Sequence, residues 1–417
     1  IPLAATESGG KNEARKAIAR NLRQRRQEIF AANRRDMERS RQQQVSEPLL
    51  KRLTFDEKKL NSVLAGIDSL AEMAEPVGRT VEARELDEGL ELYRVTCPIG
   101  VIGVIFESRP DALVQISTLC LKSGNAVLLK GGSEAADTNR ALADIIVAGA
   151  REAGLPDGWM QLMETRDDVA AMLELDDDID LIIPRGSNAF VKHIMDHSNI
   201  PVLGHADGIC HVYVDSAADV DMAVDIAIDS KCQYVAVCNA AETLLVHART
   251  AGRFLPKFHE AAEKKGLALV GCHRTVEMLG IAPASDADWG TEYLDLRLSV
   301  KVVDSFDEAV EHINRYGSGH TDTIVTADAR TAAGFLDLVD SADVFWNAST
   351  RFSDGYRYGL GAEVGISTNK IHARGPVGLE GLLIHKWKLI GSGQTVTPYA
   401  DGTKTFTHRT LDKACEL

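Results

Sequence analysis

The chain has no C-x-x-C pair, no long apolar run, no basic stripe and no low-complexity tract, and each absence removes a class of function. Its seven cysteines (Cys97, Cys120, Cys210, Cys232, Cys238, Cys272 and Cys415) are odd in number and scattered. That pattern offers neither a metal-ligand spacing nor a disulfide framework, and it fits a reducing, cytoplasmic setting. No apolar stretch approaches membrane-spanning length, and Ile1-Pro2-Leu3-Ala4 lacks the basic and apolar segments of a secretory leader. Because residue 1 is Ile and not Met, the native N-terminus is left open. A net charge of −15 with dispersed Lys and Arg argues against a nucleic-acid or anionic-membrane partner, so a phosphorylated ligand has to be held by local features. Neither G-x-G-x-x-G nor G-x-x-x-x-G-K-[ST] occurs, which disfavours an ordinary Rossmann enzyme and a P-loop kinase.

What is present is an ordinary globular composition, 45% hydrophobic and 26% charged over 417 residues, enough for two or three packed domains. Residues 11 to 75 read as helical, with Ala14, Ala17, Leu22, Ile29 and Phe30 near helical spacing among Arg, Gln and Glu. After Pro76-Val77-Gly78 the pattern turns to strands, with Leu90 to Val95 roughly alternating. From Val101 onward, apolar runs (Val101 to Phe106, Ala126 to Leu129, Ile179 to Ile183) alternate with helices starting at Asp111, Ser133 and Ser187. The alternation restarts after Cys238, with strands near Thr243 to Val246, Leu267 to Val270, Leu298 to Val303, Thr323 to Thr326 and Val344 to Trp346. Two α/β domains with parallel sheets follow, broken near residue 230.

Cys238 is the most informative residue. It stands among small residues at the start of a strand, in Val235-Ala236-Val237-Cys238-Asn239-Ala240-Ala241, where a thiol can approach an acyl carbon and form a thioester on the way to hydride transfer. Taken alone, it reads first as a buried structural cysteine, and the neighbouring motifs turn the reading to a nucleophile. Lys130-Gly131-Gly132-Ser133-Glu134 closes a strand and opens a helix, so it is either a plain turn or a seat for an adenosine ribose and its phosphate. Pro184-Arg185-Gly186-Ser187-Asn188 is either a helix capped by Ser187 or a pyrophosphate site. Asp176-Asp177-Asp178 reads as a solvated turn.

Taken in order, the runs Pro98 to Pro110, Lys130 to Glu134, Gly204 to Asp215, Cys238 to His247, Thr291 to Leu296, Tyr316 to Thr321, Asn347 to Thr368 and Ile371 to Gly381 resemble the γ-glutamyl phosphate reductases, also called glutamate-5-semialdehyde dehydrogenases. The likeness spans nearly the whole chain and is closest to the stand-alone form, without a fused kinase half. It implies an aldehyde-dehydrogenase-like α/β fold: two doubly wound α/β domains plus a small β oligomerisation element. Residues 1–230 would bind NADP(H) and include the hairpin 80–97, residues 231–382 would carry Cys238, and 383–417 would supply the C-terminal oligomerisation strand and tail. The implied reaction is NADPH-dependent reduction of γ-glutamyl phosphate to glutamate-5-semialdehyde and phosphate in proline biosynthesis. A homo-oligomer, and glutamate 5-kinase as a partner, come with that resemblance.

The resemblance also distributes roles. Cys238 would attack the acyl phosphate, with Asn239 and the backbone amides of both residues as oxyanion donors. Arg109 and Arg351 would clamp the substrate's carboxylate and phosphate, or are ordinary surface arginines. Ser108 stands where relatives have an oxyanion asparagine; Asn347, like Ser108, is placed with the substrate. His320 is either a loop histidine or a substrate contact. Glu292 would hold the nicotinamide ribose; Lys130, Ser133, Glu134, Gly186 and Ser187 would hold the rest of the cofactor, with the Glu134 charge opposing a 2′-phosphate. Where aldehyde-oxidising relatives carry a glutamate base in Glu-Leu-Gly-Gly, this chain reads Leu203-Gly204-His205-Ala206-Asp207. Family members commonly have a proline shortly before the cysteine, and this chain has Gln233-Tyr234-Val235-Ala236-Val237. The alternatives are another acylating or aldehyde-oxidising member of the superfamily, and a catalytically silent nucleotide-binding scaffold.

Overall fold

The computed structural model describes residues 3, 6–165, 167–205, 207–360 and 363–416. Ala206, Gly361 and Ala362 of the quoted runs lie outside them, as do Ile1, Pro2 and Ala4 of the N-terminal stretch.

The helical N-terminus consists of Ser8–Gln24, Arg26–Gln42, Glu47–Leu53 and Glu57–Glu72. Its apolar positions Ile18, Leu22, Ile29, Leu60 and Ile67 enter one core with Ile102, Val104, Leu129, Ile145 and Ile146 of the first parallel sheet and its helices. That sheet runs Met160–Met163, Ala126–Gly131, Val101–Phe106, Leu181–Arg185, all parallel. The strand order reverses direction between Val101–Phe106 and Leu181–Arg185. In an open α/β sheet, this reversal opens a ligand crevice beyond the carboxyl ends of the strands.

The second parallel sheet has seven strands in the order Ala282–Pro283, Ala268–Gly271, Arg297–Val303, Ala241–His247, Cys210–Val214, Thr321–Val325, Asp343–Trp346. Its first strand in sequence is Cys210–Val214, so the crossing between sheets falls between Val202, still bridged to Ile182 of the first sheet, and Cys210. Sheet membership therefore moves the expected border from 230 to this crossing. It also returns part of the C-terminal region to the first unit, because Val364, Val377, Leu379 and Leu382 pack in the first core.

A third, antiparallel sheet joins Leu383–Ile390, Leu90–Pro98, Thr80–Asp87 and Arg409–Thr410. The hairpin turns at Gly89, which adopts φ 67, a conformation glycine takes without strain. Leu383–Ile390 forms the edge of this sheet, pairing Leu383 with Pro98 through Ile390 with Glu91, and leaves Ile384, Trp387 and Leu389 exposed. Among the described residues, no helix is long and apolar enough to cross a membrane.

Two helical glycines separate propensity from packing. Gly149 in helix Ala136–Glu152 faces helix Ser8–Gln24 so closely that a Cβ would stand 2.9 Å from the Ile18 backbone. Gly66 in helix Glu57–Glu72 faces open space. Gly66→Ala is expected to raise stability by about 0.5–1 kcal/mol. Gly149→Ala should lower it by about 1–3 kcal/mol, because the helices must separate. Denaturant melts of the two variants check this, and a stabilised Gly149→Ala would contradict the packing.

Candidate active site

The nucleophile loop links helix Val220–Cys232 to strand Ala241–His247, and its tip is a tight turn. Ala240 N–H donates to the Val237 carbonyl at 3.1 Å, which puts Cys238 and Asn239 at the two central positions. Among the described residues, no carbonyl takes the backbone N–H of either. The loop is closed at its stem by an ion pair between Lys231 and Glu242, 2.5 Å apart and both fully buried. Burial pushes the Glu242 carboxyl up to about 7 against the opposing pull of Lys231. Under the loop runs Gly208, where a Cβ would sit 2.6 Å from the Cys238 carbonyl carbon and closer still to its Cα. Glycine is the residue that fits there. Cys210 Sγ donates to the Cys238 carbonyl at 3.2 Å, fixing the turn from the neighbouring strand.

Cys238 therefore stands at the amino-terminal edge of the second sheet. His320, immediately before strand Thr321–Val325, is fully buried at the same edge, with Nε2 3.1 Å from Cys238 Sγ. Its Nδ1 is 2.7 Å from Thr321 Oγ1. Burial and His205 hold the His320 imidazole far below the usual histidine range, so it is neutral. Burial, Glu292 and Glu363 push the Cys238 thiol up to about 12, outweighing its own backbone N–H and Arg351. The resting pair is a thiol beside a neutral imidazole. His320 thus touches the nucleophile itself, where sequence offered a loop histidine or a substrate contact.

Other expected residues are placed differently. Asn239 Nδ2 donates to the Ser353 carbonyl at 2.7 Å and the Asn239 backbone carbonyl accepts from Thr350 Oγ1 at 2.7 Å, so this residue braces the loop, while its buried Oδ1 has no partner. Ser108, at φ 47, donates to Glu134 Oε1 from both N (2.6 Å) and Oγ (2.8 Å). Each expected role is thereby displaced: the Ser108 hydroxyl is committed away from substrate, and the Glu134 charge is spent on tying two strand ends together. Asn347 lies at the opposite, carboxyl-terminal edge of the second sheet, where its amide pairs with both Thr326 N and Thr326 O at 3.0 Å. It is a structural bracket, remote from Cys238 along the strands.

Two guanidiniums, Arg351 and Arg185, stand close enough for their charge to act with Cys238, and a third, Arg109, neighbours Arg185. Arg351 is buried, its Nε donates to Gln233 Oε1 at 2.9 Å, and it has no ion pair among the described residues. Burial and Arg357 lower its affinity for the proton, while Cys238 opposes them. Arg185, part of the Pro184-Arg185-Gly186-Ser187-Asn188 turn, ends strand Leu181–Arg185 with no ion pair among the described residues. Burial and Arg109 lower its proton affinity, with Glu363, Asp111 and Cys238 acting the other way. Its position at the carboxyl end of a strand beside the switch point was the legible signal. Arg109 is about half exposed and meets Asp111 at 3.5 Å. Glu363 accepts from Gly355 N at 2.8 Å and is raised mainly by burial.

Gly131, Gly132, Ser133, Ala136, Asn139, Leu162, Met163 and Glu164 line a small cleft at the carboxyl ends of Ala126–Gly131 and Met160–Met163. Asn139 Oδ1, buried in its wall, has no hydrogen-bond partner. Lys130 is buried, with Nζ donating to the Gly131 carbonyl at 2.5 Å, so it braces this turn. The Gly186-Ser187 turn opens helix Asn188–His197, but the Ser187 N–H already serves the Glu107 carboxyl, and the Ser187 hydroxyl makes no cap. Burial and Glu134 raise Glu107. Glu292 accepts from Asn188 Nδ2 and Gly208 N, spanning the gap between the two sheets, and burial raises it.

A thiol at the edge of one parallel sheet, facing the switch-point crevice of another, defines an aldehyde-dehydrogenase-type cysteine enzyme. The aldehyde dehydrogenase family model matches residues 10–273. The chain is 62% identical over 417 residues to the gamma-glutamyl phosphate reductase of Acetivibrio thermocellus, covering 100% of this chain and 97% of that protein. The crystal structure of gamma-glutamyl phosphate reductase from Thermotoga maritima superposes with a TM-score of 0.92 at 40% identity, covering 94% of this chain and 96% of that one. An acetylating aldehyde dehydrogenase from Geobacillus thermoglucosidasius shares the fold, with a TM-score of 0.60 at 17% identity, covering 94% of each chain. The chain belongs to the gamma-glutamyl phosphate reductases of the aldehyde dehydrogenase family.

A thiol this strongly raised has no thiolate plateau near neutrality. Alkylation of Cys238 by iodoacetamide should accelerate about tenfold per pH unit between roughly pH 7 and pH 9. Rates followed by peptide mass spectrometry test it, and a plateau already reached near pH 7 would mean a thiolate–imidazolium pair instead.

Proposed function

We propose that this chain reduces γ-glutamyl phosphate to glutamate-5-semialdehyde and phosphate with NADPH, through a thioester on Cys238. The observation that carries the reading is the 3.1 Å contact between Cys238 Sγ and His320 Nε2, which gives the nucleophile its proton acceptor. As sulfur attacks the acyl carbon, the S–H proton passes to His320 Nε2. The carbon–oxygen bond to phosphate then breaks with its electron pair on phosphate, which takes the proton from His320. The N–H groups of Cys238 and Asn239, taken by no carbonyl among the described residues, stabilise the oxyanion formed between these events.

Arg185 and Arg351, without carboxylate partners among the described residues, are the cations for phosphate and the substrate's α-carboxylate, with Arg109 at the rim. Glu363 balances them and suits the α-ammonium. The turn Gly131-Gly132-Ser133, at the carboxyl ends of two strands and the start of a helix, is where the adenosine end of the cofactor would approach. Glu292 and the Gly186-Ser187 turn face the route to the thiol. NADPH, when bound, supplies hydride to the acyl carbon. Cys238 Sγ then leaves as the carbon–sulfur bond breaks, and His320 returns a proton from solvent to it. Where Glu-Leu-Gly-Gly of aldehyde-oxidising relatives carries its base, this chain reads Val202-Leu203-Gly204-His205, so that base is missing and the thioester survives until reduction. Glutamate 5-kinase chemistry supplies the acyl phosphate and is the candidate partner. The edge strand Leu383–Ile390, with Trp387 and Leu389 exposed, supports a homo-oligomer built through this sheet.

Run in reverse, glutamate-5-semialdehyde should reduce NADP⁺ only when phosphate or arsenate is present. Arg185→Met or Arg351→Met should each raise the KM for phosphate about tenfold or more, from the loss of a charge-assisted contact. Ser108→Ala should change kcat by less than about threefold, because that hydroxyl is engaged by Glu134. Steady-state assays with varied phosphate decide the matter: phosphate-independent turnover would overturn the reaction, and unchanged phosphate KM in both arginine variants would overturn the anion site.

A further inference from the structure

Sequence spacing offers no metal site, yet the fold brings one ring nitrogen of His205, one of His320 and Cys238 Sγ within 4.8 Å of one another. We propose that these three groups form a chelating site for a thiophilic divalent cation, Zn²⁺ foremost, which captures the nucleophile and reversibly shuts the enzyme off. The three come from three separate segments of the chain: the stretch leading into strand Cys210–Val214, the nucleophile turn, and the residue preceding strand Thr321–Val325. The site therefore depends on the folded arrangement of the second sheet's edge.

The hydrogen bonding of both rings orients them as metal ligands. His205 Nδ1 lies 3.1 Å from the Ile366 carbonyl, which can only accept, so Nδ1 carries the hydrogen and Nε2 the lone pair. His320 Nδ1 is engaged by Thr321 Oγ1 at 2.7 Å, leaving Nε2 toward Cys238. A second-shell oxygen on the far nitrogen of each histidine is the usual way a protein fixes the tautomer and direction of a metal-binding imidazole. The rings meet edge to face at a centroid distance of 5.2 Å, so neither blocks the other's lone pair. Zinc bonds near 2.0 Å to nitrogen and 2.3 Å to sulfur require ligand atoms roughly 3.3–3.5 Å apart in a tetrahedron, which asks for shifts of about 1 Å or less in the side chains. Two imidazoles and a thiolate select Zn²⁺ over Mg²⁺ or Ca²⁺, which prefer oxygen.

Carboxylates stand near the sulfur to offset the charge of Arg185 and Arg351 when a dication binds. Glu292 and Glu363 are the carboxylates whose charge reaches Cys238, and the same field attracts a dication. Coordination exchanges the S–H bond for an S–metal bond and releases that proton to solvent, leaving the fourth position for water. The captured sulfur cannot attack an acyl carbon, and His320 Nε2 cannot accept a proton.

The test uses the full-length enzyme, treated with EDTA and exchanged into a buffer free of thiol and phosphate. Zn²⁺ titrated against a chromophoric competitor should bind at about one ion per chain with release of a proton. It should protect Cys238 from iodoacetamide, and EDTA should restore alkylation. Co²⁺ in place of zinc should give a thiolate-to-metal charge-transfer band. His205→Gln should bind Zn²⁺ at least about tenfold more weakly while Cys238 still alkylates without metal, which shows the edge is folded. Zinc uptake unchanged in His205→Gln or in Cys238→Ser, or Co²⁺ binding without the charge-transfer band, would overturn the site.

Discussion

The buried Lys231–Glu242 ion pair is the interaction on which the site rests. It joins the last turn of helix Val220–Cys232 to the first turn of strand Ala241–His247, so the intervening loop cannot swing without separating two charges that have no access to water. Breaking such a pair from one side costs about 3–5 kcal/mol, a large share of a domain's stability. Gly208 and Cys210 then press the loop from below, and Asn239, Thr350 and Ser353 hold it from above. With the loop immobilised, a thiol on a two-residue turn acquires a defined distance to His320. That distance, and not any unusual acidity of the cysteine, makes the sulfur useful.

The electrostatics follow from the same geometry. An enclosed thiol beside Glu292 and Glu363 stays protonated at rest, which suits an enzyme whose substrate is already activated. The acyl phosphate needs no strong general acid to expel its leaving group, and a neutral imidazole can take the proton during attack and give it to phosphate afterwards. Against an overall charge of −15, Arg185 and Arg351 are local positive charges beside the thiol with no ion pair among the described residues, and Arg109 stands next to Arg185.

Much of this was legible in the chain. The strand Val101–Phe106 and the position of Cys238 just before a strand follow from apolar runs bounded by glycine and small residues, which are local signals. Long-range facts were not local. The strand Cys210–Val214 reads as the end of the first unit because nothing in its residues says which sheet it joins; only the crossing after Val202 does. Asn347 sits in a polar run that returns toward Cys238, but the returning residues are Thr350, Arg351 and Ser353, while Asn347 itself remains at the far edge with Thr326. Ser108 and Glu134 each looked available, and they satisfy one another. Arg185 was hidden inside a glycine turn whose backbone drew the attention, although an arginine at a switch-point strand end is the more chemical feature. His320 could be assigned to the site from its neighbours but not to the sulfur, because an 82-residue separation carries no distance.

The central claim is that Cys238 alone carries the acyl group, on a loop from which water is not activated. It is tested most directly by mixing enzyme with excess glutamate-5-semialdehyde and NADP⁺ in the absence of phosphate, then measuring NADPH formed and the mass of the Cys238 peptide after acid quench. The account predicts a burst of about one NADPH per chain, arrest, and a γ-glutamyl adduct on Cys238 that disappears when phosphate is added. Continued turnover without phosphate, or an acyl group on any other residue, would contradict it.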